Sequence, residues 1–224
     1  MDRAHPPITL LRHMVACMLA LLGSAAHAGC APPQEPKGER LFMQNGAAFR
    51  AQLCWHPQGD VGAAGGRLAV TVWRGEQRVA QVSFPVDIEG TVRDIRFDRA
   101  NYALSAQAAS FGVLVDTRLR GAGFDQYSTD LWLLVLDGGQ LARVLVQNMA
   151  WEAWGTQCEP DCIDTSKTKS IVVIGAQKSP QGMSELRVRT RGWTTPYGQG
   201  SQAAQRVDGT TRYVFNGAVY EAKD

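Results

Sequence analysis

The chain has 224 residues, 45% of them hydrophobic, with 23 lysines and arginines against 21 aspartates and glutamates. That length and apolar content suffice for one domain with a proper core. The near balance of charge argues against nucleic acid as the main partner, because neutralising phosphates needs a clear basic excess.

The first residues read as a cleavable export signal. Arg3 and Arg12 precede an apolar run from Met14 to Leu22, and Ala26-His27-Ala28 supplies the small-x-small pattern of signal-peptidase sites. The run is too short for the roughly 20 apolar residues of a membrane span, so cleavage after Ala28 and no membrane span are expected. Removing Asp2, Arg3 and Arg12 leaves 21 basic residues against 20 acidic ones. A second reading anchors the chain by acylation of Cys30, which follows Ala28-Gly29, although His27 stands where such signals carry an aliphatic residue. Cys17 leaves with the signal, and Cys30, Cys54, Cys158 and Cys162 remain as an even set suited to disulfides in an oxidising compartment. Locality favours Cys30 with Cys54 and Cys158 with Cys162, while sequence alone permits three connectivities.

Pro32, Pro33 and Pro36 mark residues 29–38 as an extended lead-in, with a single β-rich domain over 39–224. The first predicted strand is Phe49–Trp55, with Phe49, Ala51, Leu53 and Trp55 on one face and Arg50 and Gln52 on the other. Leu68–Trp73 and Val79–Phe84 follow as a hairpin about Arg74–Gln77, closed by Pro85. Residues 100–110 are left open, with a short helix as one option. Phe111–Val115 and Leu131–Leu136 are continuous apolar runs, the pattern of strands buried on both faces or in a sandwich interior. Asp137-Gly138-Gly139 predicts a tight turn into Leu141–Val146. Ile171–Ile174 and Leu186–Thr190 are further strands, and Asn216-Gly217 predicts a closing hairpin between Tyr213–Phe215 and Ala218–Tyr220. The spacing of the turns is not periodic, which weakens a propeller. The fold expected is all-β and mainly antiparallel, a sandwich or a strongly curved meander.

The histidines restrict the chemistry. With His5, His13 and His27 in the leader, only His56 remains, too few for a multi-histidine metal site, and no Gly-x-Ser-x-Gly elbow accompanies it. No metal and no cofactor are expected. Cys158-Glu159-Pro160-Asp161-Cys162 reads as a pinned loop rather than a redox pair, because three residues separate the cysteines and two acids would raise their pKa. Ile174 to Ser179 lacks the glycine spacing of a phosphate loop. Paired carboxylates remain open as a glycan-hydrolase route, with Asp94, Asp98, Asp116, Asp125, Asp130, Glu152 and Asp161 available and none singled out.

Two constellations point to binding. Arg187, Arg189 and Arg191 alternate, so a strand projects them from one face as a basic stripe able to meet phosphate, carboxylate or an acidic protein surface; a merely solvated sheet face has the same pattern. Trp151, Trp154, Trp193 and Tyr197 form the aromatic set, with Trp151 assigned to the core and Trp193 to an exposed loop. Gly121 to Tyr127 reads as another loop carrying aromatics.

The tail Arg212-Tyr213-Val214-Phe215-Asn216-Gly217-Ala218-Val219-Tyr220 resembles the aromatic-turn-aromatic endings of exported bacterial β-proteins. Phe97-Asp98, Asn101 to Leu104 and Phe111-Gly112-Val113 are similar to a central pattern in such proteins. The resemblance implies a bacterial envelope origin and transfers no site. The leading expectation is a periplasmic or secreted binding domain, with another envelope or secreted protein, or a glycan, as partner. The alternatives are a carboxylate-dependent hydrolase of envelope glycan and a structural envelope component.

Overall fold

Apolar side chains at period two carry most of the chain into strands, and glycine-bearing turns reverse it. The computed structural model describes residues 29–44, 46–58, 65–88, 90–158, 162–196 and 203–223. Among the described residues there are twelve strands and no α-helix. The strands are β1 (Glu35–Gln44), β2 (Ala47–Pro57), β3 (Gly65–Arg74), β4 (Gln77–Asp87), β5 (Thr91–Phe97) and β6 (Ala109–Gly121), then β7 (Phe124–Asp137), β8 (Gln140–Cys158), β9 (Cys162–Lys178), β10 (Ser184–Pro196), β11 (Gln205–Phe215) and β12 (Tyr220–Lys223). Consecutive strands pair antiparallel, except β4 with β5, giving a four-stranded sheet β1–β4 and an eight-stranded sheet β5–β12, both open.

The expected all-β, antiparallel architecture is therefore the observed one. Its layering follows from where β8 and β9 part. Their ladder runs from Cys158↔Cys162 only to Ala150↔Lys169. Beyond that point β8 stays with β7, and β9 stays with β10. The two halves of the large sheet then stack. Leu131, Leu133 and Val135 of β7 and Leu145 of β8 pack against Leu186, with Val172, Ile174, Tyr213 and Phe215 around them. The opposite face of β7, Trp132, Leu134 and Leu136, packs with Phe111 and Val113 against Leu53, Leu68, Val70 and Val72 of the small sheet. The result is three layers and two cores sharing β7, which accounts for its unbroken apolar run.

Residues 98–108 form no helix. They are an irregular strap in which Tyr102 and Leu104 are buried in the second core. Arg40 of β1 holds the strap through the carbonyls of Asp98 and Ala100, and Leu104 accepts from the Ser184 backbone N–H at 2.8 Å. The carbonyls of Asp98, Ala100 and Leu104 are thus taken by partners distant in the chain rather than by a helical ladder.

Several boundaries differ from expectation. β1 begins at Glu35, inside the proline-rich lead-in, and Cys30 is bonded to Cys54, which ties that lead-in to β2. β4 continues through Pro85 to Asp87; it is an edge strand, where a missing N–H costs no ladder bond. The closing hairpin is present, but its loop is Asn216–Val219, with Phe215 opposite Tyr220, so Ala218 and Val219 are not in a strand. The side chain of Asn216 accepts from the backbones of Ala218 and Val219 and builds a longer turn than a two-residue reversal. No described helix is long and apolar enough to cross a membrane.

Candidate basic and aromatic face

β10 runs without interruption from Ser184 to Pro196, so the glycine, threonines and proline read as a loop belong to a strand. Gly192 is required there by close approach. A Cβ on it would lie 2.0 Å from the Lys167 carbonyl oxygen and 2.7 Å from Thr168 Cα. With Leu186 and Val188 buried on one face, Arg187, Arg189 and Arg191 project from the other, and Trp193, expected in a loop, continues the same strand face.

The register assembles a larger surface around them. Val173, Arg187 and Arg212 form one cross-strand rung, and Ile171, Arg189 and Thr210 the next. Ala150, Lys169, Arg191 and Asp208 follow, and then Tyr127, Glu152, Lys167, Trp193 and Arg206. Trp154, 43% exposed, and Trp193, 40% exposed, stand on this face with β9 between them, Trp154 one rung beyond Trp193. Trp154 packs edge-on to Tyr127 at 5.4 Å, and the Arg118 guanidinium lies over Tyr127 at 4.9 Å.

The cations are organised by few acids. Glu185 is 2% exposed, lying over Gly175, and accepts from Arg212 at 2.7 Å and Arg187 at 2.9 Å. The Arg212 and Arg187 hydrogen bonds hold its carboxyl below the ordinary range despite desolvation. Asp208 is shared by Arg206 at 3.0 Å and by Arg189 and Arg191 at 3.6 Å. Desolvation pushes its pKa upward, and the combined charge of the three arginines outweighs this and pulls it down. Lys167 pairs with Glu152 at 2.7 Å. Five arginines of β10 and β11 thus share two carboxylates, and Lys169 adds to the excess. Sequence reasoning found the β10 stripe and missed Arg206, Arg212, Asp208 and Glu185. The same alternation along β11 was the signal that could have found the first three.

Other expected site residues fall elsewhere. Tyr197 lies outside the described residues. Cys158 and Cys162 are opposed as backbone partners, while their side chains and Asp161 lie outside the described residues. Trp151 is half-buried on the opposite face, donating its indole N–H to Ser166 at 2.8 Å. Residues 121–127 are not a loop but the tight β6–β7 hairpin, which places Asp125 and Tyr127 in a strand.

The open carboxylates are engaged by neighbours. Asp94 and Asp116 share Arg96, Asp98 accepts from Tyr102, and Asp125 is bound by Arg118, whose hydrogen bonds lower its pKa. Asp130 accepts from Asn148 at 3.0 Å. His56 sits on β2 opposite Arg67, its Nδ1 buried without a hydrogen-bond partner. No group of three or more potential metal ligands occurs among the described residues. A depression of about 450 Å³ lies between β1 and the strap, lined by Arg40, Phe42, Tyr102 and Ser110 among others; Arg187, Arg189, Arg191 and Trp193 are not in its wall.

Fold and face together define an open, three-layered antiparallel β protein with a cationic, tryptophan-bearing outer sheet. No family model, curated protein or solved structure matches the chain.

Proposed function

We propose that the protein is an exported binding domain of the bacterial envelope, and that the outer face of β8–β11 holds an acidic protein surface. The observation carrying this reading is the imbalance on that face: Lys167, Lys169, Arg187, Arg189, Arg191, Arg206 and Arg212 against Glu152, Glu185 and Asp208. Partly exposed arginines held in fixed geometry by shared carboxylates are suited to bidentate recognition of further carboxylates. The amino-terminal leader pattern and the tail's resemblance to exported β-proteins support the location. The Cys30–Cys54 bond favours an oxidising compartment.

The test is binding of labelled poly-L-glutamate by the purified protein at several salt concentrations. Binding should weaken steeply with salt and be lost in Arg189→Glu/Arg191→Glu, with the fold retained by circular dichroism. Equal binding by that variant, or none by the wild type at low salt, overturns the reading. A second reading, an envelope glycan, is favoured by Trp154 and Trp193 alone, whose part-exposed rings suit sugar faces. Co-sedimentation with peptidoglycan that is lost in Trp154→Ala/Trp193→Ala and indifferent to the arginines selects it.

A further inference from the structure

The parting of β8 and β9 leaves a sheet edge inside the molecule's topology. Residues 170–174 of β9 pair with β10 on one side and have no ladder partner on the other. Exposed edges invite strand addition, and folded proteins blunt them with charge, proline, bulges or shortness. The other edges of this fold carry such devices. β12 has four residues. β5 has a bulge near Asp94, and β4 carries Pro85. β1 is irregular at Gly38 among charged residues and its Arg40–Gln44 stretch runs beside the strap, and the parted half of β8 has two register shifts. β9 has none over this stretch. Its ladder with β10 is regular from Thr165 to Ile174, and Ser170 to Ala176 contains no charge and no proline. Ile171 and Val173 are 58% and 47% exposed beside that edge.

We propose that this edge of β9 is a docking site for one added strand, an extended segment of another protein with aliphatic residues facing Ile171 and Val173 and an acidic residue at the end that abuts Ala150, within reach of the Lys169 ammonium. The inference rests on the acidic-partner reading of the face and specifies how that partner is held. Main-chain bonds to β9 supply affinity, and alternate side chains supply selectivity. Charge decides against a second copy. β9 carries Lys167, Lys169 and Lys178 with no carboxylate from Thr165 to Lys178, and Arg187 and Arg189 stand one strand away. Pairing β9 with itself joins two strands that carry only positive charge and offers Lys167, Lys169 and Lys178 no counter-ion, whereas an acidic strand meets opposite charge.

The probe is a labelled heptapeptide alternating Asp, Val, Val, Asp on one face with Thr on the other, so that either direction of pairing fits. Hydrogen exchange of the protein with this peptide should slow the alternate amides of residues 170–174 that point away from β10. Methylating the peptide's backbone nitrogens, or replacing its aspartates by lysines, should abolish the protection. Ile171→Lys/Val173→Lys changes two exposed side chains and should lose the peptide while keeping poly-L-glutamate. The proposal is overturned if the methylated peptide protects equally, or if millimolar peptide protects no β9 amide. It is also overturned if the protein alone sediments as a dimer with those amides already slow. Poly-L-glutamate binding that persists beside any of these results removes the edge site and leaves the acidic-partner reading standing; loss of both removes both.

Discussion

Arg212 donates from Nε to Glu185 Oε2 at 2.7 Å, bringing β11 to bear on a carboxylate that Arg187 approaches from β10 itself. The contact fastens two strands of the outer layer on the face opposite the second core.

Glu185 ties this contact to pH. Its native pKa lies below the ordinary value of 4.5, so the native state favours the ionised carboxylate. The stabilisation is therefore complete above about pH 4.5 and is lost as pH falls through the lowered native value. Glu185→Gln should lower the melting temperature by several degrees at pH 7, and the gap from wild type should close in strongly acidic buffer. A gap that is constant with pH would show that the charge has no part in it.

The three layers are testable through adjacent residues of β7. Leu133 faces the second core and Leu134 the first, and both are fully buried. Each of Leu133→Ala and Leu134→Ala should cost about 2–5 kcal/mol in denaturant unfolding. In a two-layered sandwich one of the two would face solvent and cost under about 0.5 kcal/mol.

Gly192 sets the spacing of β9 and β10 beneath Trp193. The Lys167 carbonyl and the Thr168 backbone stand where an alanine Cβ would go, and neither is the tip of a flexible side chain. Gly192→Ala should destabilise by about 1–3 kcal/mol, read as an earlier denaturation midpoint with an unchanged slope. An unchanged midpoint refutes the close approach.

These residues also mark what the sequence could disclose. The continuous run of β7, the Gly138-Gly139 turn and the alternation of Arg187, Arg189 and Arg191 are local signals, and local periodicity placed them correctly. Gly192 misled because a glycine demanded by a neighbouring strand looks the same in sequence as one that breaks a strand. Glu185 was invisible for a related reason, since its role depends on Arg212, 27 residues away. The split of β8 from β9 arises where Ala150 and Lys169 end a ladder, and no residue type announces it.

The Cys30–Cys54 bond closes a sequence separation of 24 residues and anchors the segment leading into β1. Loop-closure entropy assigns it about 3 kcal/mol, which Cys30→Ala/Cys54→Ala should forfeit. Limited proteolysis should then cut near Pro36 before the rest of the chain. Simultaneous digestion of lead-in and core would count against the tether.

The closing hairpin separates two contributions to a turn. Asn216 accepts from the backbone N–H groups of Ala218 at 2.8 Å and Val219 at 2.9 Å, and Gly217 has φ of 106°, in the region L side chains avoid. Asn216→Ala should cost about 0.5–1.5 kcal/mol through the lost hydrogen bonds, and Gly217→Val at least about 1–2 kcal/mol through backbone strain. Phe215 and Tyr220 remain in contact across the hairpin at 5.4 Å, and Tyr220 donates to the Ser184 carbonyl at 2.7 Å. Both variants should therefore keep the register of β11 with β12 while melting earlier. Loss of the Phe215–Tyr220 contact in nuclear Overhauser spectra of either variant would instead make the turn, and not the aromatic pair, the element that sets the register.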